Sequence, residues 1–472
     1  MADVKTARKF HFLGIGGYGM SGLAMVLLSS GMEVSGSDLK STDLTGMLEK
    51  MGARVFTGHR ASNLPADADV VVASTAIPES NPELVEARKR GLPIMHRSEV
   101  LARLINERTG IAIAGSHGKT TTTSMIALTL ERAGLDPTAL VGGEVPEFGG
   151  TARLGGGEYL VAEACESDRS FLRYQPWMAV VTNVEPDHLE HYEGDPRLLF
   201  QAFRGFLDRV KPGGVVVVCH DDPELRALME GYDRTYLTYS LDREADFQAR
   251  ILKSTGEGTL FQVTGHGEDL GEVVLNVPGR HNVSNALAAI AVCRTLGVPM
   301  SIIASSLFAF RGAKRRFQVM GEVAGIKVVD DYAHHPTEIR ATLDAARKGV
   351  SGRLIAVFQP QRFTRTKYLL HEFADAFKEA DLIVLTEIYS AGEPPIEGIS
   401  GELLARLVAE REGERVVFFR SLEEITTYLF GESRAGDMIL TMGAGDVWKV
   451  ASDLVGSLSV QEDACSRTAA KG

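Results

Sequence analysis

"AGSHGKTTT", residues Ala114–Thr122, decides how the rest of this chain is read. It comes close to the phosphate-binding signature G-x-x-x-x-G-K-[ST]. Five positions before Gly118 stands Ile113, and the earlier glycine arrives late, at Gly115. The flanks supply the context that the motif needs. "GIAIA" before it predicts a buried strand, and residues 119–134 predict a helix closed by Gly134. At such a junction, backbone N–H groups and the Lys119 ammonium surround the β- and γ-phosphates of a nucleotide. The Thr120 hydroxyl then suits Mg²⁺. A glycine-rich turn with an exposed lysine is the bland alternative, and it leaves the strand, the Gly118-Lys119-Thr120 run and the helix as coincidence.

A second glycine-rich loop lies about a hundred residues upstream. "HFLGIGGYGMSGLA" holds Gly14, Gly16 and Gly19 in G-x-G-x-x-G spacing, and Asp38 follows where a ribose-binding acid belongs. The pattern places a diphosphate on a helix N-terminus, and it fits NAD and a UDP-sugar equally.

Two further stretches put chemistry at predicted strand ends, where open α/β sheets bind ligands. In "VAEACESD" and "TNVEPDHLEHY", Glu163 and His188 each suit a divalent metal beside the triphosphate, with Glu166 a rival to Glu163 and Asn183 a third polar contact. "DDYAHHPTEI" and "FQPQRFTRT" gather acids, histidines and arginines. Arg362 and Arg365 suit carboxylate or phosphoryl groups through bidentate contacts, whereas a helix start capped by ordinary polar residues, with Pro336 in its first turn, is the competing reading. "MGAGD" (Met442–Asp446) is a weaker loop that also reads as a tight turn.

The frame around these motifs is ordinary. A chain of 472 residues with 44% hydrophobic and 24% charged residues predicts a soluble protein of about three domains. The formal charge of −12 disfavours nucleic acid and membrane surfaces as partners. Four scattered cysteines without a C-x-x-C pair suggest a reducing compartment. No leader or membrane span is legible, so the cytoplasm is expected. Strand and helix signals alternate throughout, predicting parallel sheets with crossover helices. Residues 242–277 read as a turn-rich β excursion, "PGRHNVSNALAAIAVCRTLG" as a helix, and the polar tail from Ser459 as frayed.

Taken together and in order, "GIGGYGMSGLA", "GSHGKTTT", "ESDRSFL", "TNVEPDH", "PGRHNVSNALAA", "KRRFQ", "DDYAHHPTE", "FQPQRFTRT" and "EPPIEGIS" resemble the motifs of the Mur ligases over essentially the whole chain. The resemblance implies an α/β protein of three domains. These are a Rossmann-like UDP-sugar-binding domain (1–108), a P-loop-type ATPase domain (109–312) and a Rossmann-like amino-acid domain (313–472). Hinges are expected near 106–110 and 310–314. It also implies ATP-dependent joining of L-alanine to the lactyl carboxylate of UDP-N-acetylmuramate through an acyl phosphate, with Mg²⁺, in a monomer or homodimer. Addition of a preformed tripeptide to the same sugar is the alternative within the family, and a nicotinamide-dependent dehydrogenase the alternative outside it.

By the same resemblance, Gly14, Gly16, Gly17, Gly19, Met20, Ser21, Asp38 and Ser74 face the UDP-sugar. ATP falls to Gly115, Ser116, His117, Gly118, Lys119, Thr120, Thr121, His281, Asn282, Asn285 and Arg316, with Arg315 beside it. Thr120 and Glu163 hold one metal ion and His188 the other. His334, His335, Arg362 and Arg365 hold the substrate carboxylates and alanine, and Lys119, His188, His335 and Arg362 are the catalytic set. The sequence departs from the family pattern at Ser116, Cys165, Ala333, Gln361 and Phe363. No lysine occurs between Lys119 and Lys211, so the carbamylated lysine of some relatives is not expected.

Overall fold

The computed structural model describes residues 7–469, with side chains as far as residue 462. Its strands form three sheets, giving three sheet-containing α/β domains. The first sheet holds β1 (Lys9–Leu13), β2 (Glu33–Asp38), β3 (Arg54–Thr57), β4 (Val70–Ala73) and β5 (Ile94–His96). Its order is β3-β2-β1-β4-β5, with every neighbouring pair parallel. The helices are α1 (Tyr18–Ser29), α2 (Asp43–Lys50), α3 (Pro82–Lys89) and α4 (Arg97–Glu107). β4 is the apolar run Val-Val-Val-Ala, buried throughout, as a parallel strand covered on both faces must be. The buried Glu83 is satisfied beneath this sheet by His11 Nε2 at 2.6 Å, Ser37 Oγ at 2.9 Å and the Arg60 N–H at 3.1 Å.

The second sheet runs from β6 (Thr109–Ala114) through β7 (Thr138–Val145), β8 (Gly150–Arg153), β9 (Tyr159–Glu163), β10 (Met178–Val181), β11 (Val215–Cys219) and β12 (Tyr236–Ser240) to β13 (Phe247–Ser254), β14 (Thr259–Gly265) and β15 (Glu268–Leu275). Its order is β15-β14-β13-β12-β11-β10-β6-β9-β7-β8. The last three strands in sequence are the β excursion expected for residues 242–277. α5 (Lys119–Arg132) follows β6, and α6 (Pro196–Leu207), α7 (Pro223–Met229), α8 (Arg280–Thr295) and α9 (Met300–Ala309) complete the helices of this region.

The third sheet, β16-β17-β21-β18-β19-β20, is parallel except for β16. Its strands are β16 (Gln318–Val323), β17 (Ile326–Asp331), β18 (Leu354–Phe358), β19 (Leu382–Leu385), β20 (Val416–Phe418) and β21 (Met438–Met442), with α10 (Pro336–Arg347) leading from β17 to β18.

By compactness the chain divides into two units. One comprises residues to Ala249 with Val263–Gly271 and Ser284–Phe310, and the other Arg250–Gln262, Glu272–Val283 and Arg311 onward. The first sheet and strands β6–β12 of the second therefore fall in one unit, and β13–β15 are divided between the two. In this structure pinning hydrogen bonds cross the junction expected to hinge at 106–110: Lys211 Nζ donates to the Asn106 and Arg108 carbonyls at 2.8 and 3.1 Å, and the Gln175 N–H to Asn106 Oδ1 at 2.7 Å. The tail departs from expectation as far as it is described: instead of fraying from Ser459, helix Trp448–Ala469 includes residues 459–469, because no Gly or Pro interrupts them, and residues 470–472 lie outside the described residues. Among the described residues no helix is long and apolar enough to cross a membrane.

Candidate active site

In each sheet the glycine-bearing loops lie where strand order departs from chain order: after β1, between β2 and β4; after β6, between β10 and β9; after β21, between β17 and β18. Such switch points open a crevice beyond the strand ends.

The loop after β6 is built around two glycines with positive φ, +134° at Gly115 and +83° at Gly118. A Cβ on Gly115 would run into Thr182 Oγ1, and one on Gly118 into Asn285 Oδ1. Only glycine fits either place. Asn183, expected as a ligand contact, braces this loop: its Oδ1 accepts from the His117 N–H at 2.8 Å and its Nδ2 donates to the His117 carbonyl at 3.1 Å. Ser116 Oγ accepts from the Glu185 N–H at 2.8 Å. Thr120 and Thr121 are buried at the start of α5.

Lys119 Nζ donates to both oxygens of Glu166 at 2.9 Å, to the Ser116 carbonyl at 3.2 Å and to the Gly115 carbonyl. Burial works to lower its pKa, but Glu166, then Cys165 and Glu163, outweigh that and raise it, keeping the ammonium charged. Burial, followed by the neighbouring Glu166, pushes the Cys165 thiol up and leaves it a poor nucleophile.

The two rival carboxylates have different surroundings. Glu166 is 3% exposed, with both oxygens spent on Lys119. Glu163, at the end of β9, accepts from the Gly142 N–H through Oε1 at 2.6 Å, and its Oε2 has no hydrogen-bond partner among the described residues. Gly143 beside it faces Thr120, whose Cγ2 would lie 3.5 Å from an added Cβ. A half-exposed carboxylate oxygen and a threonine hydroxyl at the head of α5 are hard donors of the kind Mg²⁺ takes. His188 has φ +55°, and its ring faces Asp187 and Glu190, both at 3.6 Å. No hydrogen bond joins it to Thr120 or Glu163 among the described residues.

The first loop opens α1 at Gly17. Gly14 has φ +75°, and its N–H donates to the Ser37 carbonyl at 2.8 Å. Asp38 Oδ2 accepts from the Gly16 N–H at 2.9 Å, so the expected ribose acid also orders the loop. Met20 and Ser21 are buried in α1, with Ser21 Oγ donating to the Tyr18 carbonyl at 3.1 Å, and Ser74 directly follows β4. In α8, His281 is exposed, Asn282 is buried with Nδ2 donating to the Pro278 carbonyl at 2.7 Å, and Asn285 lies against Gly118.

In the second unit, Arg315 ties the β17 and β21 ends together, through Asp330 at 2.8 Å and the Gly445 and Gly443 carbonyls at 3.0 and 2.6 Å. It is a structural clamp, and Arg316 beside it lies over the Tyr332 ring. Burial pushes Asp331 up to about 6. His335 turns out to be the N-cap of α10. Its Nδ1 accepts from the Thr337 N–H at 3.3 Å, and Glu338 reaches back to the N–H groups of His334 and His335 at 2.9 and 3.3 Å. The capping role foreseen as the competing reading is thus present. Arg365 is 6% exposed and donates to Gln361 Oε1 at 2.8 Å. Arg362 has φ +67° and ψ 134°, a conformation that costs a residue with a side chain on the order of 1–3 kcal/mol.

Three family descriptions match the chain: "Mur ligase family, catalytic domain" over residues 9–109, "Mur ligase middle domain" over 113–293, and "Mur ligase, glutamate ligase domain" over 315–445. The chain belongs to the Mur ligase family. Among the relatives of this Mur ligase is a UDP-N-acetylmuramate–L-alanine ligase of Pelotomaculum thermopropionicum, 53% identical over 95% of this chain and 97% of the relative. Another from Symbiobacterium thermophilum is 50% identical over 99% and 97%. Of solved structures, UDP-N-acetylmuramate-alanine ligase from Thermotoga maritima superposes with a TM-score of 0.81 at 30% identity, covering 96% of this chain and 99% of that one. A murein peptide ligase from Psychrobacter arcticus gives 0.70 at 27%, covering 96% and 98%.

Sequence reasoning missed the Gly142–Gly143 pair that receives Glu163, although a glycine doublet in a predicted strand signals close backbone approach.

Proposed function

We propose that this Mur ligase joins L-alanine to the lactyl carboxylate of UDP-N-acetylmuramate at the expense of ATP. The carboxylate oxygen attacks the γ-phosphorus, the bond to the β-phosphate oxygen breaks, and ADP leaves. The alanine nitrogen then adds to the acyl phosphate carbon, and the tetrahedral adduct expels phosphate as the amine loses its proton. The observation that carries this reading is Lys119: a charged ammonium at the mouth of a glycine loop, oriented by Glu166, where an anion must meet an anion. Such chemistry rests mainly on positioning and electrostatic stabilisation.

In this reading the loop N–H groups and Lys119 bind the β- and γ-phosphates, and Asn282 and Asn285 serve the adenine side. The Gly14–Gly19 loop and Asp38 take the UDP moiety, and Arg362 orients the carboxylate. Thr120 and Glu163 would hold Mg²⁺, with His188 at a second ion, where the metal supplies charge neutralisation of the phosphates. Boundaries near 108 and 312 separate the three domains, and the protein works in the cytoplasm.

The test is release of phosphate from ATP with each substrate omitted in turn. The reading requires release that depends on both UDP-N-acetylmuramate and an amine. Release with UDP-N-acetylglucosamine, which lacks the lactyl carboxylate, would refute it.

A further inference from the structure

Arg97 stands at the first position of α4, the positive end of that helix, where a cation is disfavoured. It is half-buried, and it makes no hydrogen bond or ion pair among the described residues. The charges that face it are those of His96, next to it on the chain, and Asp168, with the Tyr174 hydroxyl also nearby. Asp168 reaches His96 Nε2 at 3.9 Å without closing on the guanidinium.

Its surroundings explain the placement. Arg97 Nη1 lies 3.2 Å from where a Cβ on Gly19 would be. The third glycine of the first loop therefore admits this guanidinium as well as the turn. The loop opens α1, whose first turn has no acidic residue and whose N-cap, Gly17, offers no side-chain acceptor. Two positive features, a helix N-terminus and an arginine fork, meet at Gly19, while the Asp38 carboxylate is engaged at the Gly16 N–H and Asp168 makes no ion pair with Arg97 among the described residues. An anion seated there would be favoured by both.

We propose that Arg97 is a binding residue for the diphosphate of the uridine-diphosphate sugar, its guanidinium bridging phosphate oxygens opposite the Gly16–Gly19 turn. The inference rests on the UDP-sugar reading of the first loop and adds to it a residue outside the glycine motif. Planar, bidentate recognition of phosphate suits arginine and not lysine.

The experiment compares wild type, Arg97→Ala and Arg97→Lys in the full-length enzyme, with UDP and uridine as competitive probes. Arg97→Ala should raise the KM for UDP-N-acetylmuramate about 10- to 100-fold, the range of a lost charge-assisted hydrogen bond. The KM for ATP should hold, UDP inhibition should weaken in parallel, and uridine inhibition should be unchanged. Arg97→Lys should fall between. Equal UDP inhibition of wild type and Arg97→Ala overturns the proposal, as does a loss for uridine as large as that for UDP. Wild type that binds neither UDP nor UDP-N-acetylmuramate overturns the UDP-sugar reading itself, a distinguishable result.

Discussion

In the proposed mechanism Lys119 and Glu163 do different work, and their partners in the structure differ accordingly. Lys119 is held by a carboxylate and two loop carbonyls, so its position is set by the protein and its charge is secure. Lys119→Ala should lower kcat by well over tenfold, since transition-state charge at phosphate is worth several kcal/mol, while circular dichroism stays unchanged. A variant keeping more than about a tenth of wild-type kcat would refute that role. The two glutamates separate in a second measurement. Glu163→Gln should raise the Mg²⁺ concentration needed for half-maximal rate, because it removes the carboxylate with a free oxygen. Glu166→Gln should lower kcat with little change in that Mg²⁺ requirement, because it releases Lys119. The reverse pattern in Mg²⁺ titrations would exchange the assignments.

At the scale of elements, the sequence was most legible where glycine and periodicity agree. The strand–loop–helix around Lys119 is found as β6 and α5, and the excursion at 242–277 as β13–β15. What it hid depends on long-range contacts. Nothing near Asn183 announces a loop brace, and nothing near His335 distinguishes a helix cap from a substrate contact. The hydrogen bonds that cross the polar segment at 106–110 come from Gln175 and Lys211, some 70 and 100 residues onward. Lys211→Ala removes two charge-assisted hydrogen bonds, worth about 1.5–3 kcal/mol each. It should speed amide exchange at residues 106–110 while leaving the protection of α5 intact. Unchanged exchange there would mean that the pins do not hold the junction.

For the whole molecule, each of the three sheets carries a glycine loop at its switch point, the third of them clamped by Arg315. The central claim is the identity of the amine. A pocket for a methyl group discriminates by only ~1–3 kcal/mol, so glycine should lose roughly 10- to 200-fold in kcat/KM against L-alanine. L-Serine, which adds a hydroxyl, should be used with moderate loss, and bulky side chains should be excluded. The direct test is amine-dependent phosphate release with UDP-N-acetylmuramate and ATP saturating, L-alanine set against the preformed tripeptide L-Ala-γ-D-Glu-diaminopimelate. The account predicts efficient turnover with L-alanine and none with the tripeptide; higher kcat/KM for the tripeptide would contradict it.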